Sequence, residues 1–351
     1  MNEITEALGA AVRAACARHS DLDTVAAGVG GWNAPLWKAL EQIGVTTVSI
    51  PEEHGGAGGD IGTAVAILQL LGEFSASVPF AETALLAGWL LSSCGATMPA
   101  GPITAAVAGP DLRVQAERGG MSVSGTIRRV PWARAAEHIV VLDGSRVIVL
   151  SRSDVAVRER TNLAGEPRDD LSFAASVPAS RVHELHGDPA AVKRAFRDRA
   201  ALARAALMTG AARHALELAI GYAGEREQFG RPIARFQAVQ QHLAAMAGEV
   251  LLAKVAVNAA ALALDTGGDA ELAVAAAKTV AGEMSGVVAS LAHQIHGAIG
   301  YTEEHSLRHS TTRLWAWRDE AGNEHEWSDL LGRRALAAGT AGLWPLLTST
   351  S

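Results

Sequence analysis

Glu225-Arg226-Glu227-Gln228-Phe229-Gly230-Arg231-Pro232-Ile233-Ala234-Arg235-Phe236-Gln237 joins two long helical patterns. Ala-rich sequence enters it from Ala190 and leaves it towards Leu264. Gly230 can stop a helix by taking a positive φ, and Pro232 can occupy the first turn of the next. The stretch therefore reads as a sharp helical corner. It carries Arg226, Arg231 and Arg235, with Phe229 and Phe236 between them. A corner needs the glycine and the proline, but not three guanidinium groups at such close spacing. A guanidinium fork at a helix junction suits a phosphate or pyrophosphate. A capped helical hairpin with solvated arginines is the plainer reading of the same residues.

Outward from the corner the sequence stays helical. Asp188-Pro189 is an N-cap followed by proline at the first helical position. A helix from Ala190 to Ala223 is about 50 Å long at 1.5 Å per residue. Beyond the corner, Val239, Leu243, Met246, Val250, Val257 and Leu264 form one apolar stripe. Thr266-Gly267-Gly268 breaks it and Asp269 caps the next helix, where Leu272, Val280, Met284, Val287, Leu291 and Ile295 form another stripe. Three long antiparallel helices and a shorter pair make a bundle whose alanines allow close approach. So little polar surface on so much helix predicts a large subunit interface.

The other end of the chain is helical too. Ile4, Leu8, Val12 and Cys16 define a helix over 2–19, Asp21 to Gly31 a loop, and Leu36, Leu40 and Ile43 a second helix. Helices are predicted at about 61–75 and 80–93, with Ser77-Val78-Pro79-Phe80 as the break. Before them, Ile50-Pro51-Glu52-Glu53-His54-Gly55-Gly56-Ala57-Gly58-Gly59 forces an irregular turn. It has neither the G-x-G-x-x-G order nor a Walker lysine, so it is a weak phosphate loop.

Character changes near Pro102. Val107 to His186 is rich in Val and Ser, with frequent turn signals. Met121 to Val130 alternates in part, and His138–Leu142 and Val147–Leu150 flank Asp143-Gly144, a hairpin signal. The predicted fold class is thus α+β, mostly α. It has an N-terminal helical domain over 1–101, a small middle β domain over 102–187 and a C-terminal four-helix-type bundle over 188–351.

Composition bounds the function. The 351 residues are 49% hydrophobic and 19% charged, which suits globular domains with ample core. The net charge of -7, without a basic block, argues against nucleic acid as the partner. Cys16 and Cys94 stand apart and outside any C-x-x-C, so a disulfide scaffold is not expected and a reducing cytoplasm fits. The start lacks the basic-then-apolar order of a signal peptide, and Ala81 to Leu91 is too short to span a bilayer. The expectation is a soluble protein with no membrane partner. His305 and His309, and His293 and His296, have helix-face spacing but no third ligand at a telling distance, so no metal site is expected. No G-x-S-x-G is present.

Arg226-Glu227-Gln228-Phe229-Gly230-Arg231-Pro232-Ile233, followed by Phe236-Gln237, resembles the signature of the acyl-CoA dehydrogenase family. Ile50-Pro51-Glu52-Glu53-His54-Gly55-Gly56 resembles the turn of that family's N-terminal domain. Gln294-Ile295-His296-Gly297-Ala298-Ile299-Gly300-Tyr301 resembles its Gln-x-x-Gly-Gly-x-Gly-aromatic segment, with Ala298 in place of the second glycine. The order and spacing of Arg226, Gln237 and Gln294 fit the family as well. The wording is nearest the short actinobacterial type.

The resemblance implies FAD as cofactor, bound across a subunit boundary. Arg226, Phe229 and Gln237 would contact it, and Gln294, Gly297 and Gly300 would hold its adenosine-pyrophosphate end. Ser124-Gly125-Thr126 and Val130-Pro131-Trp132 resemble the middle-domain strand that leads to the flavin ring, which makes Trp132 the candidate to stack on it, beside the alternative of a buried core tryptophan. The implied reaction forms a 2,3-enoyl-CoA: a base removes the Cα proton and hydride passes from Cβ to flavin N5.

The base in the family is a glutamate in one of two places. One lies early in the first long bundle helix, where this chain has Ala200 and Ala201, with Asp198, Arg199 and Arg204 nearby. The other follows the Gly-Tyr segment, where Glu320-Ala321-Gly322 is the nearest equivalent. Glu320 is therefore the candidate base, with Asp319 and Glu324 behind it. A carboxylate doing this work needs dry, apolar surroundings, which Trp315 and Trp317 could supply. The resemblance also implies an electron-transfer flavoprotein as acceptor. The assembly would be a homo-oligomer or a heterotetramer with a second acyl-CoA dehydrogenase-like subunit. In the latter case this chain could be a non-catalytic subunit that lends FAD contacts to its partner.

Overall fold

The computed structural model describes residues 3–21, 24–25, 31–267, 270–302 and 304–348. Most of the expected loop from Asp21 to Gly31, the start of the first helix at Asn2, and the Gly268 break with its Asp269 cap lie outside the described residues. The chain divides into two compact units, residues 1–64 with 76–200 and residues 65–75 with 201–351.

In the first unit, α1 (Glu3–His19) and α2 (Ala34–Ile43) come first. Asn33 ties them together: its side chain accepts from the Leu36 amide at 3.0 Å and donates to the His19 carbonyl at 2.6 Å. This is an N-cap that also anchors the preceding helix. After α3 (Ile61–Glu73), most of which belongs to the second unit, the chain breaks as expected, with Ser75 at φ +50. A π-helical turn over Ala81–Ala87 then runs into α4 (Gly88–Ser93), and all seven residues of that turn are buried.

The β region makes two four-stranded sheets. β1 (Ile103–Val107), β4 (His138–Asp143), β5 (Arg146–Ser151) and β8 (Val182–Glu184) form one in that order. β2 (Leu112–Glu117), β3 (Gly120–Pro131), β7 (Arg168–Pro178) and β6 (Val155–Arg158) form the other. The Asp143-Gly144 hairpin forms, with Asp143 opposite Arg146. Along β4, Ile139 and Val141 face the second sheet, where they meet Val123, Leu171 and Phe173. Val140 and Leu142 face the other way, onto Leu86, Leu90 and Leu91. The first sheet is thus covered on both sides, which is why its strands read as apolar runs rather than alternating ones.

The second unit holds the helical bundle from residue 201 onward. α5 (Pro189–Glu225) is capped by Asp188, whose carboxylate accepts from the Ala190 and Ala191 amides at 2.9 and 3.1 Å. Then come α6 (Gln237–Thr266), α7 (Ala270–His296), α8 (Leu307–Arg318) and α9 (Glu324–Thr348), the last broken at Gly339. Within this unit α3 and α5 cross on glycines. A Cβ on Gly210 would lie 1.8 Å from the Gln69 carbonyl oxygen, and one on Gly72 would lie 2.1 Å from that of Leu207.

Two expectations are corrected. The corner is not a helix–Gly–Pro–helix junction. α5 ends at Glu225, β9 (Glu227–Gln228) and β10 (Arg231–Pro232) pair antiparallel, and α6 begins only at Gln237. Phe229 at φ +51 and Gly230 at φ +76 form the two-residue turn between them. Positive φ at both central positions is the type I′ geometry that matches strand twist, so Gly230 serves a hairpin and Pro232 sits in its return strand. In α7 the expected stripe holds at Met284 and Ile295, which are buried, but the buried face is wider and leaves out Val287. Val287 is exposed, whereas Val274, Lys278, Ala281, Ser285 and Val288 are buried. The stripe was drawn from large apolar residues only, and the packed face adds small ones, a lysine and two histidines to them.

Candidate active site

A cavity of about 520 Å³ opens where the end of α5 and the end of α7 face the small hairpin. Its lining includes Tyr222, Arg226, Gln228, Gln294, His296 and Gly297. Three of the residues singled out for cofactor binding, Arg226, Gln294 and Gly297, therefore converge here. Arg226 and Gln294 are exposed, and neither side chain has a hydrogen-bond or ion-pair partner among the described residues. Tyr222 stacks on His296 at 4.8 Å between ring centroids, which makes an aromatic wall. Gly297 sits at φ +64, and a Cβ there would meet nothing within 4 Å. Its lack of a side chain leaves the backbone open to the cavity.

The other candidates have different surroundings. Gly300 is buried, and a Cβ on it would press on His296, Leu307 and His293 at 3.0–3.2 Å, so its smallness is used in packing. Phe229 is 93% exposed at the hairpin tip, edge-on to Phe236 at 6.1 Å. Arg231 lies over Phe236, its guanidinium 4.4 Å from the ring centroid. Gln237, the first residue of α6, is exposed and is not part of the cavity lining. Trp132 belongs to the other compact unit. It is 3% exposed at φ +56, with the Arg168 guanidinium 6.0 Å from its ring centroid, so its surface is used within the β domain.

Glu320 lies in the turn after α8. Its Oε2 accepts from Arg204 Nε at 2.7 Å, and the two side chains are 13% and 6% exposed. An arginine from the first long bundle helix thus grips the carboxylate of the late turn. Trp317 is buried in the core, and Trp315 stacks on His293 at 5.9 Å. The turn itself is held tightly. Trp327 donates its indole N–H to the Ala321 carbonyl at 3.0 Å. Glu324 pairs with Arg318, whose hydrogen bonds, together with burial working in the opposite sense, leave its carboxyl at about 2.

Sequence reasoning missed Lys278, which is fully buried on α7 and donates to the carbonyls of Trp317, Arg318 and Gly322 at 3.4, 2.7 and 2.7 Å. The only sequence signal was a lone lysine within an otherwise alanine-rich run. His293, His296 and His309 are buried too. Among the described residues no group of three or more His, Cys, Asp or Glu side chains is placed to hold a metal ion. A second hollow, of about 380 Å³, lies at the Gly-rich turn and is lined by Glu52 and Glu53, which disfavours a phosphate there.

Comparison with known proteins decides the family. The acyl-CoA dehydrogenase N-terminal domain matches residues 2–97, and the acyl-CoA dehydrogenase C-terminal domain matches residues 190–323. Acyl-CoA dehydrogenase IpdE2 of Mycolicibacterium smegmatis is 30% identical over 315 residues, which cover 88% of this chain and 91% of that protein. The chain belongs to the acyl-CoA dehydrogenase family. It is an oxidoreductase acting on acyl-CoA. The fold agrees: butyryl-CoA dehydrogenase of Megasphaera elsdenii superposes with a TM-score of 0.87 at 20% identity, covering 96% of this chain and 99% of that one. A structure described as the Tcur3481-Tcur3483 steroid ACAD superposes with a TM-score of 0.81 at 25% identity, covering 97% and 99%. Within the bundle, the Arg226–Gln294–Gly297 cavity and the Glu320–Arg204 pair each bring together residues singled out from the sequence.

Proposed function

We propose that the chain dehydrogenates an acyl-CoA between Cα and Cβ, with FAD held at the Arg226–Gln294–Gly297 cavity and Glu320 as the Cα base. The convergence of those three residues on one cavity carries the reading. The donor set fits a pyrophosphate: a guanidinium that no carboxylate among the described residues neutralises, an amide unengaged by them, and a glycine that lets backbone approach. Tyr222 and His296 add a flat aromatic surface. FAD held there by Arg226, Gln294 and the Gly297 backbone would supply the two-electron acceptor for the substrate's hydride.

The chain's own part is proton removal. Glu320 is anchored at one oxygen by Arg204, which fixes the carboxylate's orientation and balances its charge in a largely dry site. An oriented carboxylate lowers the barrier to Cα deprotonation by removing the cost of finding the right geometry. Glu320→Gln keeps the shape and removes the base. It is expected to cut acyl-CoA-dependent bleaching of the flavin roughly 10²- to 10⁴-fold with FAD content unchanged. Turnover left intact in this variant would end the assignment.

A second reading makes the chain a non-catalytic subunit of a heteromer that lends its cavity residues to a partner. Two observations favour a partner of some kind. The outer face of α6 exposes Leu251, Leu252, Val255 and Leu262. The 25%-identical steroid ACAD carries a two-chain name, Tcur3481-Tcur3483. Both α6 and the segment Ala270–Tyr301 are long and apolar enough to cross a membrane by length and composition. Exposed Lys254 and Asn258 at mid-helix in α6 make a protein neighbour a cheaper cover than lipid. We assign the family's soluble, cytoplasmic setting and an electron-transfer flavoprotein as the acceptor. The chain purified alone, compared with the chain co-expressed with a second family member, separates the readings. Full activity alone supports the first, and activity only in the pair supports the second.

A further inference from the structure

Lys278 is a costly residue to place in the bundle core. It is fully buried at a position on α7 where Val274 and Ala281 are its neighbours along the buried face. A leucine or methionine there would be cheaper, because an ammonium loses its hydration on burial. What it gains is specific. Two of its three carbonyl acceptors, Trp317 and Arg318, are at the C-terminal end of α8, and the third, Gly322, lies two residues beyond Glu320. The ammonium therefore clasps both ends of the Asp319–Gly322 turn. That turn needs clasping, because Ala321 is held at φ +57, a strained conformation for a residue with a Cβ.

We infer that Lys278 is a positioning residue of the acyl-CoA dehydrogenation, beside Arg204: its buried ammonium fixes the turn that presents Glu320 and adds a compensating positive charge. This rests on the assignment of Glu320 as base. The charged groups around the ammonium are Glu320 and Asp319 in the turn, Arg204 on α5 and Glu324 on α9. Burial, only partly offset by those carboxylates, brings Lys278 down to about 8. The clasp thus loses its charge at mildly alkaline pH, when the nitrogen releases its proton to solvent.

The test reads proton removal directly, as exchange of the acyl-CoA Cα hydrogen for deuterium in D2O, followed by mass spectrometry on the holoenzyme with any partner chain. Lys278→Met is expected to slow exchange about 10²-fold, with KM for acyl-CoA and FAD per chain unchanged. Lys278→Gln keeps donors without the charge and is expected to recover part of the loss. In the unaltered protein, exchange should fall as pH rises through about 8, and Lys278→Met should lack that limb. If Lys278→Met does not fold, Lys278→Gln and the pH profile of the unaltered protein decide. The inference is overturned if either soluble variant exchanges within about two-fold of the unaltered protein while Glu320→Gln does not exchange. It is overturned equally if the unaltered protein shows no alkaline fall. Full exchange by Glu320→Gln would instead remove the base assignment, and this inference with it.

Discussion

Arg226 stands at the end of α5 with an exposed guanidinium and no partner among the described residues. An unneutralised cation on a cavity wall is poised for an anion, and a charge-assisted hydrogen bond to phosphate contributes about 1.5–3 kcal/mol. Arg226→Ala is therefore expected to weaken FAD binding roughly 10- to 100-fold, read by equilibrium dialysis, with little effect on melting temperature. Gln294→Ala should weaken it less, since a neutral amide forms the weaker bond. At this scale residue type and spacing picked out Arg226, Gln294 and Gly297, which the structure brings to one cavity, and Glu320, which it places against Arg204. The sequence was silent on Lys278, because a lysine among alanines in a helix reads as a solvated residue and only packing reveals that it points inward. It was also silent on the Arg204–Glu320 pair, whose members are 116 residues apart.

At the scale of the element, the tightest constraint is the crossing of α3 on α5. A methyl on Gly210 would overlap the Gln69 carbonyl, and backbone cannot yield as a flexible side chain can. Gly210→Ala is expected to destabilise the chain by about 3 kcal/mol or more, visible as a lowered midpoint in urea. Helices and strands were legible from periodicity and turn chemistry: the Asp143-Gly144 hairpin, the Asp188 cap and the break before Phe80 all form. The corner was not, because Gly and Pro are equally at home in a helix junction and in a type I′ hairpin, and a two-residue strand has too short a pattern to show. The second face of α6 was missed for a related reason. An Ala-rich helix with one good stripe hides the fact that Leu251, Leu252, Val255 and Leu262 form another.

At the scale of the whole molecule, buried ionisable groups set an acid limit to stability. His309 is held down to about 4, by burial and then by Arg313 and Arg308. Its folded value lies below its ordinary value of 6.5, so the unfolded chain binds the extra proton first and stability falls as pH drops from about 6.5 towards 4. Glu324, at about 2 against an ordinary 4.5, contributes stability that is present above about 4.5 and lost as pH falls further. Thermal melts should therefore fall in two stages between pH 7 and 3. Glu324→Gln should remove the more acidic stage and also lower stability at neutral pH, by roughly 1–3 kcal/mol, since Arg318 is partly solvated. The exposed apolar face of α6 predicts that the chain is not monomeric at micromolar concentration, which sedimentation would show. Replacing Leu251 and Leu252 by glutamate should lower the assembly's mass.

The most direct test of the central claim, that the Arg226–Gln294–Gly297 cavity is the flavin site, is FAD counted per chain from the visible spectrum of the purified protein and of the Arg226→Ala, Gln294→Ala double variant. The expected result is a yellow protein, with any copurifying partner accounted for, whose FAD is lost in a double variant of unchanged melting behaviour. FAD retained at full occupancy in that variant would place the cofactor elsewhere and contradict the account.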